Sequence, residues 1–314
     1  MKKLIAFVTS LEEEVNILWL EHLKAVFNNY EIVLFKDLLQ NDYERIEVAL
    51  VANPNVEELL NLKNLKWVQS LWAGVEKLVH DVENSNFNIS RMIDKNMSEV
   101  MSDSVLAWSF YLYKNMPLYK KQQDQTLWIE HEIKEKSEIT ITVLGLGELG
   151  LASALKLKNN GFNVKAWSRS KKEIEGISTY YGNDTLQELL KQSDILISLL
   201  PLSKETKNLL DQKKLKSLKK NASVINFSRA SIFDYKALAF LLDEKHLKHA
   251  VLDVFSQEPL EKDSFLWKHE DITILPHISA PTNRRTASKI AFWNINEYFV
   301  NNKEPLFVDK NKGY

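Results

Sequence analysis

Short apolar runs recur along the chain, and stretches with helical spacing lie between them. Residues 3 to 9 predict a buried strand. From Glu12 to Phe27, apolar residues at Val15, Leu18, Leu23, Val26 and Phe27 follow the period of a helix with one buried face. Further strands are predicted at Ile32–Phe35, Val48–Ala52, Trp67–Ser70 and Ile89–Ile93. Strands alternating with helices specify a parallel sheet covered on both faces. Five of them before residue 95 make an α/β domain of their own.

The next segment, Ser98 to Tyr119, is helical in pattern and rich in aromatics, and Pro117 is expected to stop or kink it. Residues 120 to 138 are polar with Trp128 embedded. They read as a connector or arm that packs onto its own domain or meets a second subunit. A second series of strands follows, at 139–144, Val164–Ser168, Ile195–Leu199, Ser223–Phe227, Ala250–Val254 and Ile272–Leu275. Asp184, Ser203 and Asp234 are expected to cap intervening helices. The last helix, Thr282 to Val300, carries Ile290, Phe292, Trp293, Ile295 and Phe299. It needs a surface to pack on, and the first domain is the candidate.

Candidate chemistry begins where the 139–144 strand meets Gly145-Leu146-Gly147-Glu148-Leu149-Gly150 and a helix follows. Strand, glycine turn and helix together are the context a dinucleotide-binding G-x-G-x-x-G requires. Gly145 permits the tight turn, Gly147 lets backbone approach a diphosphate, and Gly150 lets helix pack on strand. The helix start offers amide hydrogens to the phosphates. Three of the chain's 8 glycines stand here, which argues against a bare loop.

The second strand of such a domain usually ends in an acidic residue about 20 positions past the glycines, bonded to the ribose 2′-hydroxyl. Here Trp167 runs into Ser168-Arg169-Ser170-Lys171-Lys172, and Arg169 stands 19 residues after Gly150. A carboxylate repels a 2′-phosphate, whereas a guanidinium grips one with a fork of donors. Arg169, helped by Ser168, Ser170 and Lys171, therefore predicts NADP(H) in preference to NAD(H). The competing expectation is a solvated basic loop.

Composition narrows the classes. A length of 314 residues points to two domains. The net charge is −1 and no basic stripe stands out, so nucleic acid is not expected as a partner. No cysteine is present, which excludes disulfides, zinc thiolate sites and cysteine nucleophiles. The opening Met1-Lys2-Lys3 and its short apolar run do not make a signal peptide, and no apolar stretch approaches membrane-spanning length. A cytoplasmic protein is the expectation.

Arg229, Glu258 and His277 each follow a predicted strand of the second series, which places all three near one edge of a single sheet. Leu71-Trp72-Ala73-Gly74-Val75 ends a strand of the first series, and amide groups there suit a carboxylate, although an ordinary strand-to-helix turn reads the same way.

These residues carry a resemblance to the D-2-hydroxyacid dehydrogenases, specifically their glyoxylate/hydroxypyruvate reductase A group. It covers nearly the whole chain. It runs through L-W-A-G-V at 71–75, G-L-G-E-L-G at 145–150, W-S-R-S at 167–170, L-L-P-L-S-K-E-T at 199–206, N-F-S-R-A at 226–230, L-D-V-F-S-Q-E-P-L at 252–260, L-W-K-H at 266–269, P-H-I-S-A at 276–280 and the terminal Gly313-Tyr314. Ala230 departs from the glycine common in the family, and Pro281-Thr282-Asn283-Arg284-Arg285 departs near the rim of the site.

The resemblance implies two Rossmann-like domains with an active site in the cleft between them. Residues 1–97 and 286–314 would form a discontinuous substrate-binding domain and 98–285 the NADP-binding domain. It also implies NADPH-dependent reduction of glyoxylate to glycolate and hydroxypyruvate to D-glycerate, and a homodimer. His277 is the implied proton donor, Glu258 its partner, and Arg229 the carboxylate anchor. Trp72, Ala73, Gly74 and Val75 would bind substrate. Glu148, Leu149, Leu200, Pro201 and Asp253 would join the glycines as cofactor contacts. Another family member, of the phosphoglycerate or D-lactate type, is the nearest alternative. A dinucleotide-sensing binding protein without catalysis is a more distant one.

Overall fold

Each predicted apolar run becomes a strand in the computed structural model, which describes residues 2–310 except for the side chain of Asn183. The chain divides into two compact units, one made of residues up to Asn96 and from Thr282 onward, the other of Met97–Pro281.

The first unit begins with β1 (Lys3–Thr9), α1 (Glu13–Val26), β2 (Tyr30–Leu34), β3 (Val48–Ala52), α2 (Val56–Asn61), β4 (Trp67–Ser70), α3 (Glu76–Asp81) and β5 (Asn88–Ser90). The five strands are parallel in the order β2-β1-β3-β4-β5. Alternate residues of β1 feed opposite faces, as the period of two requires. Ile5 and Phe7 join the cluster under Trp19, Leu23 and Phe27, while Leu4, Ala6 and Val8 join the one with Leu59 and Val79.

The second unit contains α4 (Lys95–Tyr113), which starts just before the boundary, then α5 (Met116–Asp124), β6 (Thr140–Leu144), α6 (Glu148–Asn159), β7 (Asn163–Ser168), β8 (Ser178–Tyr181), α7 (Asn183–Leu190), β9 (Ile195–Ser198), α8 (Gln212–Lys216), β10 (Ala222–Asn226), α9 (Tyr235–Asp243), β11 (Leu247–Leu252) and β12 (Ile272–Ile274). Its seven parallel strands run β12-β11-β10-β9-β6-β7-β8. The chain lays β7 and β8 on one side of β6 and then returns to build β9 to β12 on the other. The carboxyl ends of β6 and β9 are therefore the topological switch point, where ligands of open α/β sheets bind.

The chain then returns to the first unit as α10 (Arg284–Asn301). Its Ala287, Ala291 and Ile295 are buried against α1 and β2, and Phe292 meets Phe27 edge-on at 5.3 Å. The apolar C-terminal helix thus covers the first domain, except that Trp293 faces away and is 61% exposed.

Three local expectations are corrected. Pro117 does not stop a helix. α4 ends at Tyr113, Asn115 takes a left-handed φ of 57°, and Pro117 sits in the first turn of α5, where its missing N–H costs nothing. Asp184 lies inside the first turn of α7 rather than at its cap, and Ser203 closes a turn with Thr206, not a helix. Asp234 does cap α9, accepting from the Ala237 amide at 2.9 Å. Gly313 and Tyr314 lie outside the described residues.

Candidate active site

At the switch point the glycine turn is shaped by contact. Gly145 has φ of 97°, and its N–H donates to Trp167 O at 2.8 Å. A Cβ there would meet Leu199 O at 2.7 Å, so both conformation and space demand glycine. A Cβ on Gly150 would come within 1.8 Å of Gly145 O, which fixes how closely α6 seats on the turn. At Gly147 nothing lies within 4 Å of a Cβ position. Open space beside the start of α6, where the amides of Glu148 and Leu149 are unpaired by helix geometry, fits a dinucleotide diphosphate. Leu200 is buried and Pro201 half-buried just past β9, across the switch.

The basic loop after β7 folds back toward this turn. Ser168 is buried, and its hydroxyl donates to Ser170 O at 2.7 Å, so it shapes the loop. Arg169, Ser170 and Lys171 are exposed, with Lys171 paired to Glu173 at 2.8 Å. Lys172 donates to Leu146 O at 2.6 Å and ties the loop to the glycine turn. Glu205 on the turn after Pro201 is held below its ordinary value, first by the Ser203 hydroxyl and its own backbone amide, with the Arg169 charge adding. Arg169 directly follows β7, the strand after which an NAD site carries its ribose-binding acid.

The three candidate reacting residues share this unit. Glu258 Oε2 lies 2.7 Å from His277 Nδ1, and its other oxygen accepts the Phe255 amide at 2.8 Å. A carboxylate only accepts, so Nδ1 carries the hydrogen at this contact and Nε2 is left for another partner. His277 is half exposed and has a left-handed φ of 55°, a conformation a non-glycine residue holds only under constraint. The constraint is Asp253. It is 2% exposed and accepts from the Ile278 amide at 2.8 Å and the Ser279 amide at 2.9 Å, one on each oxygen. Arg229 follows β10, half-buried, with Nη1 donating to Ser228 O at 2.7 Å.

The 71–75 segment belongs to the first unit. Trp72 is half-buried, its indole N–H donating to Asn53 Oδ1 at 2.9 Å and its ring edge-on to Trp19 at 5.7 Å. Its backbone amide is taken by Ser70 Oγ at 3.0 Å, which leaves a ligand to residues 73–75. Val75 is buried. Arg284 stands over the Trp19 ring at 5.8 Å.

Several residues that hold this site together carry no assigned role in the sequence: Lys172, the buried Ser198, Asn226 and Ser228, and the half-buried Tyr235. Each is a lone polar residue. Lys172 closes the basic loop, Ser198 directly precedes the 199–206 run, Asn226 and Ser228 stand in N-F-S-R-A, and Tyr235 stands in none of these motifs.

Residues 106–279 match the family described as D-isomer specific 2-hydroxyacid dehydrogenase, NAD binding domain. The chain is 32% identical over 281 residues to a glyoxylate/hydroxypyruvate reductase A of Yersinia enterocolitica, covering 88% of this chain and 90% of the relative. Among solved structures it is similar to a D-isomer specific 2-hydroxyacid dehydrogenase of Xanthobacter autotrophicus in complex with NADPH and MES, with TM-score 0.92, 31% identity and 100% of each chain covered. It is also similar to an NADPH-dependent glyoxylate/hydroxypyruvate reductase of Sinorhizobium meliloti in complex with NADP and sulfate, with TM-score 0.90, 26% identity and 100% of each chain covered.

Proposed function

The chain belongs to the D-isomer specific 2-hydroxyacid dehydrogenases, and from that premise we propose that it reduces small 2-oxo acids with NADPH, taking glyoxylate to glycolate and hydroxypyruvate to D-glycerate. The Yersinia and Sinorhizobium relatives carry those substrates in their names, and NADPH or NADP is bound in two of the similar structures. Arg169 in place of an acid supports NADP(H) over NAD(H). The observation that carries the catalytic reading is the 2.7 Å pair of Glu258 and His277, on the carboxyl side of the sheet that bears Arg229 and the glycine turn.

The dinucleotide, when bound, supplies the hydride that goes to the carbonyl carbon. The protein does the rest. Arg229 binds the substrate carboxylate with its planar fork and draws electron density from the neighbouring carbonyl. Residues 73–75 take the remaining carboxylate contacts, and Trp72 limits the pocket to small side chains. As negative charge grows on the carbonyl oxygen, His277 gives up the proton on Nε2 to it as general acid. Glu258 holds the other ring nitrogen, fixes the ring's orientation and stabilises the imidazolium before transfer. Asp253 keeps the His277 backbone in the conformation that aims the ring, in addition to any contact with the cofactor.

Trp128 on the 120–138 segment is 95% exposed, with Leu127 and Ile129 about half exposed beside it, and that apolar arm supports a homodimer. No helix among the described residues is long and apolar enough to cross a membrane. This reading takes the enzyme as cytoplasmic.

A panel of 2-oxo acids tested with NADPH and with NADH decides the proposal. The expected result is the highest kcat/KM with NADPH and glyoxylate or hydroxypyruvate. Preference for NADH, or for a substrate with a bulky side chain, would overturn it.

A further inference from the structure

Arg229 and Glu258 come from different strands, β10 and β11, and the spacing between them decides whether carboxylate and proton donor meet the same substrate. A chain of buried and half-buried hydrogen bonds links the two strand ends. Ser198 Oγ lies 2.8 Å from Ser228 Oγ, and Ser228 donates from its hydroxyl at 2.6 Å and its amide at 3.1 Å to Asn226 Oδ1. Asn226 Nδ2 then donates to Tyr235 Oη at 2.8 Å and to Arg229 O at 3.3 Å. Tyr235 Oη in turn donates to Val254 O at 2.8 Å, four residues before Glu258. Its ring also meets Phe255, whose amide holds Glu258 Oε1. Burial, with the charges of Glu258 and Asp253 adding, pushes the Tyr235 phenol up, so it remains a donor.

We infer that Tyr235, the first residue of α9, is a positioning residue whose hydroxyl joins the Arg229 turn to the Glu258 loop and so sets the distance between the carboxylate anchor and the proton donor. This rests on the assignment of Arg229, Glu258 and His277 to the reaction. Both hydrogen bonds of the hydroxyl are spent on that join, one accepted from the Arg229 side and one given to the Glu258 side. Asn226 is bonded to Arg229 O and to Ser228, and Tyr235 carries the side-chain link on from Asn226 to Val254 O. A phenylalanine would fill the same volume and remove this side-chain link, leaving the strand ends joined by the bond from the Asp253 amide to Asn226 O at 3.1 Å.

The test is Tyr235→Phe beside Ser193→Ala, a control that removes a buried hydroxyl bonded to Thr142 at 2.5 Å on the same unit. The full-length protein is used. Tyr235→Phe should lower kcat about tenfold, as a small misplacement of reacting groups does. It should enlarge the isotope effect with NADPH deuterated at the transferred hydrogen, and weaken inhibition by oxamate about tenfold. Affinity for NADPH should stay within about twofold of wild type, because the glycine turn is untouched. Ser198→Ala, which opens the far end of the chain of bonds, should show the same changes in smaller degree.

Amide exchange of the protein alone supplies an arm independent of activity: residues 226–230 and 254–258 should exchange faster in Tyr235→Phe and not in Ser193→Ala. If wild type turns over no 2-oxo acid, the functional reading falls and the exchange arm still decides the link. Unchanged exchange in those segments overturns the inference, as does unchanged kcat, isotope effect and oxamate inhibition in a variant that is only less heat-stable.

Discussion

Gly147 and Gly150 stand three residues apart in one turn, and substituting each by alanine separates ligand binding from packing. An alanine Cβ at Gly150 would lie 1.8 Å from Gly145 O and 2.8 Å from Gly145 C, against an ordinary contact of 3.4 Å or more. The obstacle is backbone, so α6 must draw away from the turn. Overpacking of this kind costs about 1–3 kcal/mol, and the upper end applies where no side chain can give way. Alanine recovers about 1 kcal/mol as a better helix former than glycine. The net loss is about 2 kcal/mol, or a fall of about 4–8 °C in Tm for a unit of this size. Gly147→Ala meets nothing within 4 Å and has an ordinary φ of −71°, so its stability should change by less than about 1 kcal/mol. Its methyl would occupy the space assigned to the diphosphate, and NADPH should bind at least about tenfold more weakly, 1.4 kcal/mol. Thermal unfolding of the free protein and a fluorescence titration with NADPH measure the two quantities. If Gly147→Ala binds NADPH as wild type does, the dinucleotide does not lie along this turn. If Gly150→Ala is as stable as wild type, the close seating of α6 is wrong.

Other expectations follow from single groups. His277→Gln should lower kcat about 10²-fold or more, with NADPH affinity little changed in a binding titration, because only the proton donor is lost; near-normal turnover would remove His277 from its role. Arg169→Asp should reverse the preference, lowering kcat/KM with NADPH and raising it with NADH; an unchanged ratio would show the basic loop to be merely solvated. Burial lowers the His249 imidazole from 6.5 to about 4, so the unfolded chain takes up a proton before the folded one does. That contribution to stability is complete above pH 6.5 and is lost as the pH falls toward 4. Wild type should lose about 3 kcal/mol more than His249→Gln across that window in denaturant titrations, and equal acid sensitivity would contradict it.

The buried parallel strands were legible because strands covered on both faces are unbroken apolar runs: Val48–Ala52 and Trp67–Ser70 have the predicted bounds. β8 was not, since Ser178-Thr179-Tyr180-Tyr181 is an edge strand with no fully buried residue and reads as loop. The break before Pro117 was misplaced because a proline that begins a helix and one that ends a helix look alike without the preceding left-handed Asn115. In the site, Gly145, Glu258 and His277 stood out because their spacing and motifs are specific. Asp253 was flagged, but for the cofactor. Its grip on the Ile278 and Ser279 amides depends on β11 and β12 lying side by side. The Ser198, Asn226, Ser228 and Tyr235 chain is distributed over three elements, and no local pattern joins a tyrosine at a helix start to a carbonyl 19 residues on.

The most direct measurement is a crystal structure of the protein with NADP and oxamate bound. The account predicts His277 Nε2 about 3 Å from the inhibitor's carbonyl oxygen, with the nicotinamide on one side, the Arg229 guanidinium on the carboxylate and Glu258 still on Nδ1. A ternary complex in which His277 points away from that oxygen, or in which Arg229 leaves the carboxylate to other residues, would contradict it.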